Sequence, residues 1–338
     1  YDEYDWQSKD SCSRWDLLDP VRMTRALRPD GIKWPFAPNG EPTVRLELMT
    51  KLNGLDHEHA HDALNDVLAS IAVAKLVRDR QPKLFDYVLN IRDKKKVAAF
   101  VSSNEPFVYT SGKYANGFQK TAVVQTVAPH PKEQAVLVYD LHFDPDEFTG
   151  MTPKELAKIW QWQKDPEAKR LPVKTLKFNR CPAVAPLSVL DKASQERIRL
   201  DRKTWEANAA KLKAAKDFPK KLLEALELME KQRQTQLLGE EQAVDAQLYD
   251  SFFDDHDSKL LDVVRAAEPD ELSKYGADFN DNRLKTLLPL YKARNYPESL
   301  SSDERAAWDK FCAQKLFAGG DKSHLARYFQ RLQECATL

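Results

Sequence analysis

Glycine is scarce in this chain, with 10 residues in 338. No Walker sequence, GxGxxG or GxSxG occurs, so neither a glycine-built phosphate cradle nor a nucleophile elbow is expected. Cysteine is scarce too. Cys12, Cys181, Cys312 and Cys335 stand far apart and form no CxxC pair, which excludes a disulfide framework and fits a reducing, cytoplasmic compartment. No apolar run approaches the roughly eighteen residues of a membrane span. Net charge is absent as well: 52 Lys+Arg balance 52 Asp+Glu, so a uniformly basic coat is excluded and any polyanion contact must use a local patch. The opening YDEYDWQSKD is acidic and polar, unlike a secretory signal. The first residue is Tyr1 rather than Met, so the chain is expected to begin inside a larger protein. No repeat of solenoid period occurs.

What is present falls into three regions, read as residues 1–81, 82–238 and 239–338. The first is helical. RWDLLDPVRMTRALRP spaces Leu17, Leu18, Val21 and Leu27 for one helix, with Pro29 beyond its end. Pro42 and Thr43 are expected to start a second helix that Gly54 stops. A third runs from about Asp62 to Arg80, with Leu64, Val67, Leu68, Ile71, Ala74 and Leu76 as its apolar stripe and Pro82 as its stop. The second region changes period. KKKVAAFVSS, EPFVYTSG, TAVVQTVAP and QAVLVYDLHF are β-branched and aromatic runs, expected to form a small antiparallel barrel or sandwich. A helix (TPKELAKIWQWQ), a strand (VKTLKFNR) and two charged helices, about 192–215 and 219–236, follow. The third region is helical again, most clearly over 283–294 and 302–316.

The chemistry concentrates in Asp56-His57-Glu58-His59-Ala60-His61-Asp62, followed by Asp66. HEH followed by HD is not the HExxH of a zinc enzyme, and no cysteine accompanies it. His61 and Asp66 would lie about 140° apart on one helix. With His61 in the preceding turn, both can reach one pocket, and the positive helix end favours an ionised Asp66 that could hold a metal. That pair suits phosphodiester hydrolysis, in which a neutral imidazole takes a proton from metal-activated water. The competing reading is a solvated, polar helix start.

The flanking words resemble the bacterial exonuclease I family. They are SRWDLLD, ALRPDGIKWP, RLELMTKLNGL, AHDALNDV, RQPKLFDYV, VDAQLYDSFF and YKARNYP, in order along nearly the whole chain. The resemblance implies an α+β protein: the C-terminal part of a ribonuclease-H-like nuclease domain, a Src-homology-3-like β-barrel domain with added helices, and a C-terminal all-helical domain. It also implies magnesium-dependent 3′→5′ hydrolysis of single-stranded DNA to 5′-mononucleotides, in DNA repair, with Mn²⁺ as a possible substitute. By position, His61 corresponds to the general base, Asp66 to a metal ligand and Arg45 to a residue holding substrate near the scissile phosphate. Tyr4, Arg22, Lys174, Asn179, Asp245 and Tyr249 fall at DNA-contact positions. Arg28, Tyr87 and Lys213 fall in the pocket for the C-terminal tail of single-stranded-DNA-binding protein. No membrane partner is expected, and the protein is read as a monomer.

The chain departs from the pattern in three places. Pro186 and Asp191 stand where the tail pocket should offer a polar and a basic residue. No DxE motif precedes His61. The chain is therefore expected to start after the nuclease domain's central strands and to stop before the last helix finishes. One carboxylate cannot hold two magnesium ions, so this chain alone is expected to be inactive. The stripe on the third helix would then be an exposed patch. The alternatives are a non-catalytic single-strand-binding or partner-docking module, and a purely structural helical adaptor.

Overall fold

A computed structural model describes residues 13, 15–55, 63–161, 165, 168–239, 244–247 and 250–336. The chain divides into two compact units, Tyr1–Arg233 and Gln234–Leu338.

The first unit begins with α1 (Leu18–Leu27), α2 (Leu46–Asn53), α3 (Ala63–Arg80) and α4 (Pro82–Asn90). Val21, Ile32, Met49, Val73 and Val77 join the first three in one apolar cluster. The expected start of α2 at Pro42 is corrected. The helix begins four residues later, at Leu46, because Arg25 Nη1 donates to the carbonyls of Pro35 (2.8 Å) and Thr43 (2.7 Å). Phe36 and Pro42 also form an isolated bridge. Gly54 does end α2, in the left-handed conformation (φ 66°) that glycine adopts without strain. On α3 the inward face is Ala69, Val73 and Val77. Leu64, Val67, Leu68 and Ile71, the stripe read from sequence, are 46–65% exposed.

KKKVAAFVSS is not a strand. It forms α5 (Lys94–Val101), because the Asp93 carboxylate caps the Lys95 N–H at 2.7 Å and Val97 and Val101, four apart, are buried together. Then follow β1 (Phe107–Thr110), β2 (Thr121–Pro129), β3 (Ala135–Asp140), α6 (Asp146–Thr149), α7 (Pro153–Trp160), β4 (Val173–Lys177) and β5 (Ala183–Pro186). The sheet is antiparallel throughout, in the order β4-β3-β2-β1-β5. Alternation sorts its side chains. Val108, Val123, Leu137, Val173 and Ala183 face a core shared with α1 (Met23, Leu27). Phe107, Tyr109, Val124, Val138 and Val184 face a second core closed by Ile91, Val97 and Val101. Both faces are thus dry, which explains runs with no polar alternation.

The segment 192–215 is two helices, α8 (Lys192–Ile198) and α9 (Arg202–Ala214), because Arg199 turns into the left-handed region (φ 57°). Asp191 and Asp201 cap their starts. Next is α10 (Phe218–Gly239).

The second unit contains α11 (Asp255–Ala266), α12 (Asn282–Asn295), α13 (Ser302–Phe317) and α14 (His324–Ala336). Its core is Val264, Leu272, Phe279, Leu284 and Leu288. Among the described residues no helix is long and apolar enough to cross a membrane.

Candidate nucleic-acid interface

A cavity of about 800 Å³ opens where α1, α2 and α3 meet the segment joining β1 to β2; Arg22, Arg25, Arg45, Ser70, Asn116, Gln119 and Lys120 are among its lining. The four cations differ in role. Arg25 is buried, pinned to two carbonyls, and lies over Trp34 and Phe36 with its guanidinium carbon 5.8 and 4.8 Å from the ring centres. Burial pushes its pKa down, so it serves the fold. Arg45, just before α2, is exposed at the rim and has no side-chain partner among the described residues. Arg22 donates to the Asp19 carboxylate at 2.7 Å in a half-buried pair. Burial pushes the Asp19 carboxyl up, and the Arg22 guanidinium and the Gly112 N–H partly offset that. Asp19 therefore ties α1 to the β1–β2 segment and fixes where Arg22 points. Lys120 is pushed down by burial and by the Arg22 charge.

Cations continue along the sheet. Lys113 donates to the Thr175 carbonyl of β4 at 3.3 Å, and its pKa is lowered by burial and by Lys177, with Asp19 acting in the opposite sense. Lys174, half-buried on β4 opposite Val138, is lowered by burial, with Lys113 and Arg170 adding repulsion and Asp140 opposing. Asn179 is exposed in the 3₁₀ turn Phe178–Arg180 after β4. Lys120 feels the Arg22 charge, Lys113 that of Lys177, and Lys174 those of Lys113 and Arg170. Crowded, partly desolvated ammonium groups gain from a neighbouring polyanion.

Arg28, at the end of α1, donates to the carbonyls of Leu27 (2.6 Å) and Val189 (2.9 Å), and its guanidinium lies 3.3 Å from the Asp191 carboxylate. Asp191 also accepts the Ser194 N–H, and that bond, with Arg28 and Arg197, holds its carboxyl below the usual range. Pro186 ends β5 opposite Phe107. Tyr87 is half-buried against both sheet cores, and burial raises its phenol pKa. Lys213 is exposed in the last turn of α9. Neither Tyr87 nor Lys213 is among the partners of Arg28.

In the second unit Asp245 is bound by cations. Arg294 donates to its two oxygens at 3.0 and 2.9 Å, and Lys315 adds a bond of 3.1 Å. Arg294, with Lys315, pulls the Asp245 carboxyl down to about 2.

His61, Tyr4 and Tyr249 lie outside the described residues. Asp66 is in the first turn of α3 and half-buried; its backbone carbonyl accepts from Ser70 of the cavity wall at 2.8 Å. Among the described residues no three His, Cys, Asp or Glu side chains come together as a metal site. One carboxylate is not the donor set that a two-ion phosphodiesterase needs. Lys113, Lys120 and Gly112 were not singled out from the sequence; the signal was the word SGKYANGFQK between two strands, with Lys113 third and Lys120 last.

An antiparallel sheet domain with added helices and a separate helical unit define an α+β protein, and several cations lie on its first unit. Residues 92–227 match the Exonuclease I SH3-like domain, and residues 242–338 match the Exonuclease I C-terminal domain. Exodeoxyribonuclease I of Haemophilus influenzae (strain ATCC 51907 / DSM 11121 / KW20 / Rd) is 36% identical over 321 residues, covering 93% of this chain and 66% of the relative. The structure of E. coli Exonuclease I in complex with a dA16 oligonucleotide is similar with a TM-score of 0.82 at 34% identity, covering 100% of this chain and 70% of that one. A solved ExoI/SSB-Ct complex is similar with a TM-score of 0.81 at 34% identity, with the same coverage. The chain belongs to the exonuclease I family. It spans about two thirds of the length of the curated relatives it matches, 66% and 65% for the first two.

Proposed function

We propose that this chain is the strand-guiding and partner-docking part of a magnesium-dependent 3′→5′ exonuclease of single-stranded DNA, acting in DNA repair in the cytoplasm. The observation that carries the reading is the set of cations on the first unit: Arg22 and Lys120 line the cavity, Lys113 bonds to the Thr175 carbonyl of β4, and burial and neighbouring cations push Lys113 and Lys174 toward neutrality. Phosphates relieve that repulsion, and counterion release adds a salt-dependent gain. The likeness to a family structure holding dA16 supports a single-stranded polyanion.

In this reading Arg22 and Lys174 neutralise phosphates, Asn179 donates hydrogen bonds, and Tyr4 and Tyr249 offer stacking faces worth about 1–3 kcal/mol per base. Arg45 sits at the cavity rim toward the scissile phosphate. Asp245 acts indirectly, by holding Arg294 and Lys315 in place. His61 is the general base and Asp66 one metal ligand. A divalent ion, Mg²⁺ or Mn²⁺, would supply the activation of water, and Asp66 would be one of its ligands, since the described carboxylates do not by themselves form its site. That same observation favours the second reading, a single-strand-binding or partner-docking module without hydrolysis. The tail of single-stranded-DNA-binding protein would dock at Arg28, Tyr87 and Lys213, less tightly than a free arginine allows, since Arg28 already faces Asp191. The protein is read as a monomer with parts 1–81, 82–238 and 239–338.

The test combines a gel assay on 5′-labelled single-stranded DNA, with magnesium or chelator, and an anisotropy titration against salt. The expected result is affinity that falls steeply with salt and no 3′→5′ ladder. Absence of single-strand affinity at low salt would overturn the whole reading. A metal-dependent ladder that vanishes in His61→Ala would overturn only the claim that this chain is inactive.

A further inference from the structure

Phe36 is 61% exposed, yet its backbone is firmly held. It stands in a short hairpin, residues 35–43, that folds back on itself. Phe36 and Pro42 form the antiparallel bridge. The Thr43 N–H donates to the Pro35 carbonyl at 3.3 Å, the Ala37 N–H to the Glu41 carbonyl at 2.8 Å, and the Gly40 N–H to the Ala37 carbonyl at 2.8 Å. Gly40 makes the turn with a φ of 80°, which costs glycine no strain. Against the hairpin lies Arg25. Its guanidinium is pinned by the carbonyls of Pro35 and Thr43, the residues that flank the bridge, and its central carbon is 4.8 Å from the centre of the Phe36 ring. One face of the ring thus rests on a fixed cation. With 61% of the residue exposed, the other face is open to solvent.

The platform adjoins the cavity. Arg25 beneath the ring and Pro42 across the bridge both line it, together with Arg22, Arg45 and Lys120. The Glu41 carboxylate accepts from Asn116 Nδ2, another lining residue, at 2.8 Å, and so ties the hairpin to the β1–β2 segment. Thr43 Oγ1 accepts the backbone N–H of Arg45 at 3.3 Å. Arg25 does not depend on Phe36 for its place, since two carbonyls and the Trp34 ring already hold it. A single exposed apolar side chain is ordinary. This one is set apart by an open aromatic face that is held in position beside a group of cations. We propose that Phe36 is a base-stacking platform: a nucleotide whose phosphate lies in the cavity lays its base on the free face of the ring. The inference rests on the single-strand reading above and adds a base contact where that reading has only phosphate contacts in the cavity.

Cations and an aromatic face take different parts of a nucleotide. Guanidinium and ammonium groups neutralise phosphate and release counterions, so they set the salt dependence of binding. A ring stacks on any base, because every base has a π-face, and releases no counterion. Phe36 is already ordered by its hairpin and by Arg25, so little freedom is lost when a base arrives. Stacking on Phe36 therefore adds affinity without steepening the salt dependence. A ring that served only to hold cations would do the opposite, and its removal would flatten the salt slope.

The experiment titrates the full chain with labelled single-stranded oligonucleotides by anisotropy across a salt series. One strand is intact, and in a set of others a single abasic residue is moved along the sequence. Phe36→Ala should bind the intact strand roughly fivefold to a hundredfold more weakly than wild type, the range of one base–aromatic stack, with the salt slope unchanged. Phe36→Leu, which keeps apolar cover on Arg25, should also bind more weakly, and Phe36→Trp should bind at least as tightly as wild type. In wild type one abasic position should cost about as much as Phe36→Ala does on the intact strand. In Phe36→Ala that same position should cost nothing further. Equal affinities of wild type, Phe36→Ala and Phe36→Leu overturn the proposal, and so do abasic and side-chain losses that simply add. A flattened salt slope in Phe36→Ala overturns it too, by making Phe36 a support for cations. Salt-dependent affinity that ignores Phe36 removes this inference alone, whereas a chain that binds no single strand at low salt removes the single-strand reading and the platform with it.

Discussion

Gly112→Ala tests the proposed role of Arg22 without touching Arg22 itself. A Cβ on Gly112 would stand 2.8 Å from Arg22 Nη1, 3.4 Å from Cζ and 3.5 Å from Nη2. Gly112 is not one of the glycines with positive φ, so its backbone accepts alanine. The guanidinium must yield, and it leaves the 2.7 Å contact with Asp19, whose carboxyl then keeps only the Gly112 N–H of its two stabilising partners. For a pair 22% and 29% exposed, that loss costs about 1 kcal/mol of stability. The binding loss is of similar size, about 1 kcal/mol or roughly fivefold in affinity, with the salt slope reduced by about 0.7 for one phosphate contact to a single strand. Anisotropy of a labelled oligonucleotide across a salt series reads both quantities. In an Arg22→Ala background the same alanine should change nothing further. Unchanged affinity and slope in a folded Gly112→Ala chain would refute the assignment of Arg22 to the strand. Additive losses in the double variant would show that Gly112 acts through its loop instead.

Two further outcomes concern the fold. Glu304 accepts from Ser273, from the Ser301 N–H that begins α13, and from buried Lys292; the Ser273 hydroxyl leads these in pulling its carboxyl from 4.5 to about 2. Glu304→Gln should therefore lower the stability of the second unit by about 1–2 kcal/mol at neutral pH, allowing for solvent screening. Because the native pKa is depressed, that contribution is complete above 4.5 and lost as pH falls toward about 2, so denaturation curves of the two proteins should converge in acid. On α3, Val67→Lys and Ile71→Glu should change stability by no more than about 0.5 kcal/mol and reduce self-association in sedimentation velocity, whereas Val73→Ala on the buried face should cost about 2 kcal/mol.

The contrast on α3 marks what periodicity conveys. The helix was legible to within a residue, and so was its apolar character, yet it is apolar on two sides and the conspicuous stripe is the exposed one. Hydrophobic spacing finds faces without saying which neighbour meets each. The misreading of Lys94–Val101 has the opposite origin. Val97, Phe100 and Val101 resemble a strand in composition, but the Asp93 cap and the four-residue spacing of the two valines decide in favour of helix. The strands from Phe107 to Lys177 were legible because both sheet faces are buried and the runs are unbroken. The candidate site was expected from the sequence only as scattered positions. Arg45 stands in the word RLELMTKLNGL, whereas Arg22 and Lys174 lie in the helical run RWDLLDPVRMTRALRP and the strand run VKTLKFNR; that Lys113 leans on β4, or that Asp245 holds cations 49 and 70 residues away, depends on contacts no local pattern encodes.

A chain with no net charge can still present a positive surface if its carboxylates are spent elsewhere, and the direction of each cation's pKa shows where. Lys211 is raised by Asp144 and Asp146, Lys274 by Glu271, Arg283 by Asp281 and Arg294 by Asp245. Each of these is matched to an acid and serves the fold or a neighbour. Lys113, Lys120 and Lys174 are pushed the other way, by burial and by other cations. Holding them charged costs free energy in the empty protein, and no carboxylate bonds to their ammonium groups among the described residues. Lys113 spends one N–H on the Thr175 carbonyl, whereas no hydrogen bond from the ammonium of Lys120 or Lys174 is seen among the described residues. The arrangement makes physical sense if a counterion arrives from outside, which is the role the proposed function gives to the phosphates of a single strand.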